Sequence, residues 1–102
     1  MKCIILTAII KEPYSGNENR VESLINVLEC YNKEYCNKDE RIYYEVFKSE
    51  YQGNEVIEVN LKIIMSKSTF CELMVKEIRS QVRSIFRKRL VTLVKTNGTK
   101  IN

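Results

Sequence analysis

The chain has 102 residues, 17 Lys and Arg against 13 Asp and Glu for a formal charge of +4, four Cys, one Pro, and neither His nor Trp. That length fits a single domain with one core, and 44% hydrophobic with 29% charged residues excludes collagen-like, mucin-like and wholly disordered chains. The longest apolar run, Cys3 to Ile10, falls short of the roughly 20 residues of a membrane-spanning helix, and its flanks, Lys2 before and Lys11, Glu12 and Pro13 after, are not those of a signal peptide.

Cys3–Ile10 (CIILTAII) is apolar at consecutive positions and predicts a strand central in its sheet. Pro13, Ser15 and Gly16 end it. Val21, Leu24, Ile25, Leu28, Tyr31 and Tyr35 then recur three and four apart, as one helical face requires. Asn19 and Glu22 have the spacing of a capping box, and the helix is expected to stop near residues 37–39. Arg41–Tyr51 (RIYYEVFKSEY), aromatic and β-branched, predicts a second strand. Gln52, Gly53 and Asn54 supply a turn. Glu55–Met65 then alternates, with Ile57, Val59, Leu61 and Ile63 on one side and Glu58, Asn60 and Lys62 on the other, a hairpin into a strand with one wet face. Thr69 and Glu72 repeat the capping-box spacing before a helix whose apolar face is Cys71, Met74, Val75, Ile78, Val82 and Ile85. Leu90–Lys95 predicts a last strand, and residues 98–102 a frayed tail.

An offset of 50 superposes the two halves, taking Asn19 to Thr69, Val21 to Cys71, Glu22 to Glu72, Leu24 to Met74, Ile25 to Val75, Leu28 to Ile78 and Tyr35 to Ile85. The pattern is a single domain of two similar βαβ motifs, about 2–52 and 53–97. It arises by duplication or from two amphipathic helices that merely slide into register. With right-handed crossovers, the simplest closure is a ferredoxin-like βαββαβ fold, a four-stranded antiparallel sheet with two helices on one face. Strand one is apolar on both sides, so Ile4, Leu6, Ala8 and Ile10, or their alternates, are expected on the open face of the sheet, a patch suited to a protein contact or a homodimer.

Catalysis finds little support. Without His there is no imidazole base, Ser-His or Cys-His pair, or His metal ligand. Asp39 is the sole Asp, the Glu residues are scattered, and no phosphate-binding or metal-binding motif occurs, so no cofactor and no metal are expected. Of the cysteines, Cys71 lies on the second apolar stripe as a small buried hydrophobe, and Cys30 points away from the first and is expected to be the most reactive. Cys3 opens the first strand and Cys36 closes the helix after it. A βα unit brings such ends to one sheet edge, which makes a Cys3–Cys36 disulfide conceivable, against free thiols in a reducing cytosol.

Charge is unevenly placed. Residues 1–66 hold 8 basic and 11 acidic side chains, a net of −3, whereas residues 67–102 hold 9 basic and 2 acidic, a net of +7. Lys76, Arg79, Arg83 and Arg87 fall on one stripe of the second helix, which Lys88 and Arg89 extend. This ridge suits nucleic-acid phosphates, or is a solvated face paired with acidic groups; a membrane-surface role conflicts with the core's need for the apolar face. RNA-recognition domains stack bases on aromatics of their two central strands, and strands one and three here have none. The aromatics gather instead on strand two, an edge, as Tyr43, Tyr44, Phe47 and Tyr51. There they either pack under the first helix or engage a partner. An extended peptide would add to that edge or lie in the seam between the motifs.

The compact Cys-containing layout of CIILTAII followed by NRVESLINVLECYNKEYC, the length and the lack of a cellular-family motif together resemble the small orphan proteins of filamentous viruses of hyperthermophilic archaea. That resemblance implies an intracellular, non-enzymatic protein, acting in the host cytoplasm by binding proteins or DNA. It also favours a disulfide, because intracellular proteins of hyperthermophiles often carry them. The expected function is therefore a protein-interaction module, with nucleic-acid binding on the second helix as the alternative.

Overall fold

The structure, a computed structural model, describes residues 1–87 and 91–100, the last ten as backbone. The elements are β1 (Lys2–Ile10), α1 (Glu18–Tyr35), β2 (Arg41–Tyr51), β3 (Asn54–Met65), α2 (Ser68–Phe86) and β4 (Val91–Lys100). It is an α+β fold in which β2, β3 and β1 form an antiparallel sheet beneath two helices. The backbone of β4 runs antiparallel along the far side of β1, giving the order β2-β3-β1-β4. The register of β2 on β3 is unbroken, and β4 on β1 carries one irregularity at the Ile5–Leu6 step.

Ile4, Leu6, Ala8 and Ile10 of β1 and Ile57, Val59, Leu61, Ile63 and Met65 of β3 meet Val21, Leu24 and Leu28 of α1 and Cys71, Met74, Ile78, Val82 and Phe86 of α2 in one core. Those β1 residues therefore lie beneath the helices, and their alternates, Cys3, Ile5, Thr7 and Ile9, are on the open face. Only Ile5 of these is an exposed large hydrophobe, and Cys3 and Ile9 are buried. Phe86 closes the core where Ile85 was expected to; Ile85 is only partly buried.

Neither capping box forms. Both helices begin earlier, with Asn17 and Lys67 at the N-cap, so Asn19 and Thr69 lie inside the first turns and Glu22 and Glu72 just beyond them. The reason at α1 is local: the Asn17 side chain donates to the Pro13 carbonyl at 2.7 Å, and Glu18 Oε1 reaches back to accept from Gly16 N at 2.8 Å. The helix then ends at Tyr35, short of residues 37–39. The last strand runs past Lys95, and its ladder reaches Lys100 opposite Lys2, where a frayed tail was expected. Backbone pairing along nine-residue β1 carries it through residues too polar to show a hydrophobic period. The offset of 50 persists in the elements, since α1 and α2 start at Glu18 and Ser68, and β2 and β4 at Arg41 and Val91.

Glu40, a buried carboxylate before β2, ties two connections together. Its Oε1 accepts from Asn37 N at 3.0 Å, and its Oε2 accepts from Ser66 N and Oγ, each at 2.8 Å.

Candidate interaction surface on the second strand

The Tyr-rich strand divides its aromatics between two faces. Pairing sets Tyr43 opposite Lys62, Phe47 opposite Glu58 and Tyr51 opposite Asn54, all on the open face, where the three rings are 50%, 36% and 38% exposed. Tyr44, opposite Leu61, faces the helices, packs against the core and donates its hydroxyl to the Glu29 carboxylate. That bond to an anion is the main reason its phenol titrates above the usual range. The four aromatics are therefore one row of three plus one α1 contact. Cations lie over the row: Arg41 and Lys62 each 5.9 Å from the Tyr43 ring centre, and Lys11 5.8 Å from that of Tyr51. A concavity of about 570 Å³ wraps the start of the strand, with Arg41, Tyr43, Tyr44 and Lys62 in its wall.

The backbone of this edge carries a feature that the aromatics alone do not reveal. Gln52 and Gly53, with φ of 52° and 80°, form the two-residue loop of a type I′ hairpin, and such a loop is closed by a hydrogen-bonded pair, here Tyr51 and Asn54. In an antiparallel strand, both backbone groups of a residue point to the same side and alternate along the chain. Odd-numbered residues of β2 therefore bond to β3, and even-numbered ones point away from the sheet. Asn32 of α1 confirms the parity: its Oδ1 accepts from Ile42 N at 2.7 Å, and its Nδ2 donates to Ile42 O at 2.9 Å. One side chain thus satisfies both outward groups of Ile42. The outward groups of Tyr44, Val46, Lys48 and Glu50 have no such partner among the described residues. Asn32 was missed from the sequence, yet it lies one turn beyond Leu28 on the apolar stripe, where the offset-related residue is Val82. A lone amide at a core position was the available signal.

On α2, Lys76, Arg79 and Arg83 line a groove of about 610 Å³ with Ser80 and Ser84. The Nε of Arg83 is a buried nitrogen with no hydrogen-bond acceptor among the described residues. Arg87 departs from the stripe, because the helix stops at Phe86 and Arg87 turns away with φ of 73°. Lys88 and Arg89 lie outside the described residues. The motifs interleave, since β3 sits between β1 and β2. They therefore meet along all three strand pairings as well as where α1 packs on α2, and an apolar hollow of about 380 Å³ is walled by Tyr35, Met65, Phe70, Leu73, Met74 and Glu77.

Cys3 and Cys36 are both free thiols, as are Cys30 and Cys71. The conceivable bridge is absent because Cys3 faces the open side of the sheet, whereas Cys36 packs on the helix-side core. Cys30 is exposed, but the neighbouring Glu34 charge, followed by its hydrogen bond, pushes the thiol pKa up. Among the described residues, no group of His, Cys, Asp or Glu side chains has the arrangement of a metal site, and no helix is long and apolar enough to cross a membrane.

No family model and no curated protein matches the chain. Solved structures do. A de novo designed protein with a ferredoxin fold is similar over 94% of this chain and 83% of its own, with 18% identity and a TM-score of 0.62. The de novo designed protein Foldit4 is similar over 100% of both chains, with 16% identity and a TM-score of 0.62. A tripeptidase from Staphylococcus aureus is 15% identical, with a TM-score of 0.54, over 99% of this chain and 31% of that enzyme. At such identities the likeness shows the fold alone, an α+β arrangement of the kind built in the ferredoxin-fold designs.

Proposed function

We propose that the chain is a non-enzymatic interaction module that accepts an extended segment of a protein along the free edge of β2. In this reading, β4 closes a ferredoxin-like sheet of four strands built from two similar βαβ motifs, and the protein acts inside a cell, as the resemblance to archaeal viral proteins implies. The observation that carries the reading is the run of outward backbone groups from Tyr44 to Glu50, stopped at Ile42 by Asn32. Backbone bonds supply affinity in strand addition, and side chains at alternate positions supply selectivity. Tyr43, Phe47 and Tyr51 flank an added strand on the open face.

Selection from a displayed library of random peptides tests it. Binders are expected to be lost in Lys48→Pro, which removes an outward N–H without touching the ladder to β3, and weakened in Tyr43→Ala plus Phe47→Ala. Binders indifferent to both variants, or no binders, would count against the edge.

A second reading rests on the groove of Lys76, Arg79 and Arg83, three cations that suit phosphate oxygens. If it holds, duplex or single-stranded DNA binds with an affinity that falls steeply with salt, and Arg79→Glu plus Arg83→Glu abolishes binding. Absence of binding at low salt removes it.

A further inference from the structure

We propose that the segment received by this edge is β2 of a second copy, paired antiparallel about a two-fold axis through Phe47. The inference rests on the strand-addition reading and names its partner. In a two-fold antiparallel pair, residues equidistant from the axis face each other. The outward backbone groups run from Tyr44 to Glu50, and the middle of that run is Phe47. The aromatic row runs from Tyr43 to Tyr51, and its middle is again Phe47. The two stops, the Asn32 clamp at Ile42 and the chain reversal at Gln52, are also equidistant from Phe47.

These coincidences define one register. Tyr44 faces Glu50 of the second copy and Val46 faces its Lys48, so all four outward residues on each side are used and about eight backbone hydrogen bonds form. On the open face Phe47 meets its own copy, and Tyr43 meets Tyr51. These are the non-hydrogen-bonded pairs, in which side chains come closest. Glu45 faces Ser49, so no two like charges are set directly opposite. Moving the axis by one residue breaks the match: about Val46, Phe47 faces Glu45 and Glu50 faces Ile42, whose backbone Asn32 already occupies. The edge has eleven residues, no proline and no bulge against β3, and in this register its charged Lys48 and Glu50 face Val46 and Tyr44 of the second copy.

Sedimentation of the full chain is expected to show a species of twice the 12.0 kDa chain mass. In a Cys30→Ser background, Phe47→Cys sets two thiols across the axis at a Cα separation of about 4.5 Å, within disulfide range, and mild oxidation links the dimer. Glu45→Cys stays unlinked. Lys48→Pro is monomeric. Hydrogen exchange of the unmutated chain gives a readout independent of that variant's folding: the Val46 and Lys48 amides slow as concentration rises, while the Tyr43, Glu45 and Phe47 amides are slow throughout. A chain monomeric at every concentration overturns self-pairing, as does a dimer in which Phe47→Cys does not link or the even amides exchange unchanged. A monomer whose edge still takes displayed peptides, with loss in Lys48→Pro, overturns the second copy and leaves the strand-addition reading intact. A monomer without such binding removes both.

Discussion

Three hydrogen bonds converge on the Glu40 carboxylate, and the two from backbone N–H groups, Ser66 first and then Asn37, are the main reasons its pKa lies below the ordinary value. A carboxyl depressed by folding contributes stability that is present above its unfolded pKa and is lost as pH falls through its folded one. Glu40→Gln is therefore expected to flatten the acid limb of the melting temperature between neutral pH and pH ~3. Glu40→Ala, which removes all three bonds to the carboxylate, should cost about 1–3 kcal/mol at neutral pH in denaturant unfolding. At Cys30 the sign is opposite for reactivity: the Glu34 carboxylate disfavours the thiolate. Glu34→Gln should accelerate iodoacetamide labelling of Cys30 at pH 8, and an unchanged rate would mean that Glu34 does not govern this thiol. Asn32 does its work with both ends of one amide, so Asn32→Asp, which keeps the acceptor and loses the donor, should expose the Ile42 carbonyl and weaken the start of the edge strand.

At the scale of elements, α2 begins without a side-chain cap because its N-cap residue is Lys67, in extended geometry with φ of −124° and ψ of 141°. That is backbone ready for a capping hydroxyl, and Lys67→Ser should add about 0.5–1.5 kcal/mol, read as a higher denaturation midpoint at constant slope. The same residue explains why the helix start was misplaced: Thr69 and Glu72 have the right spacing, but the chain takes helical dihedrals two residues earlier. Strand two was legible to the residue, Arg41 to Tyr51, because aromatic and β-branched side chains fill it and a turn ends it. The division of its aromatics between faces follows from alternation alone. What did not show was the state of its backbone, since hydrogen-bond parity depends on hairpin type and on an amide from another element. Likewise Phe86 and Ile85 both continue the α2 stripe, and only packing decides which one closes the core.

For the whole molecule, the decisive property is that the motifs interleave, β3 lying between β1 and β2. Similar halves need not be independent halves. Residues 1–52 alone would lack the strand that fills the gap in their own sheet, so this fragment is expected to show no cooperative unfolding transition, and addition of residues 53–102 should restore one. A fragment that melts cooperatively by itself would contradict the interleaved sheet. Charge is divided differently, with the acidic excess in residues 1–66 and the basic excess in residues 67–102, so the basic groove on α2 and the edge of β2 belong to regions of opposite net sign.

The pairing of Lys2 with Lys100 joins positions near the two extremes of the chain, and it has a kinetic cost. Contacts of such long sequence separation form late, because a large loop must close before they return any free energy. Because β3 precedes β4 in the chain, β1 meets its inner neighbour during synthesis before its outer one. Until β4 arrives, a sheet of β2, β3 and β1 has a second open border, along the strand that carries Ile5 and Ile9. Pairing of residues 91–100 with β1 closes that border.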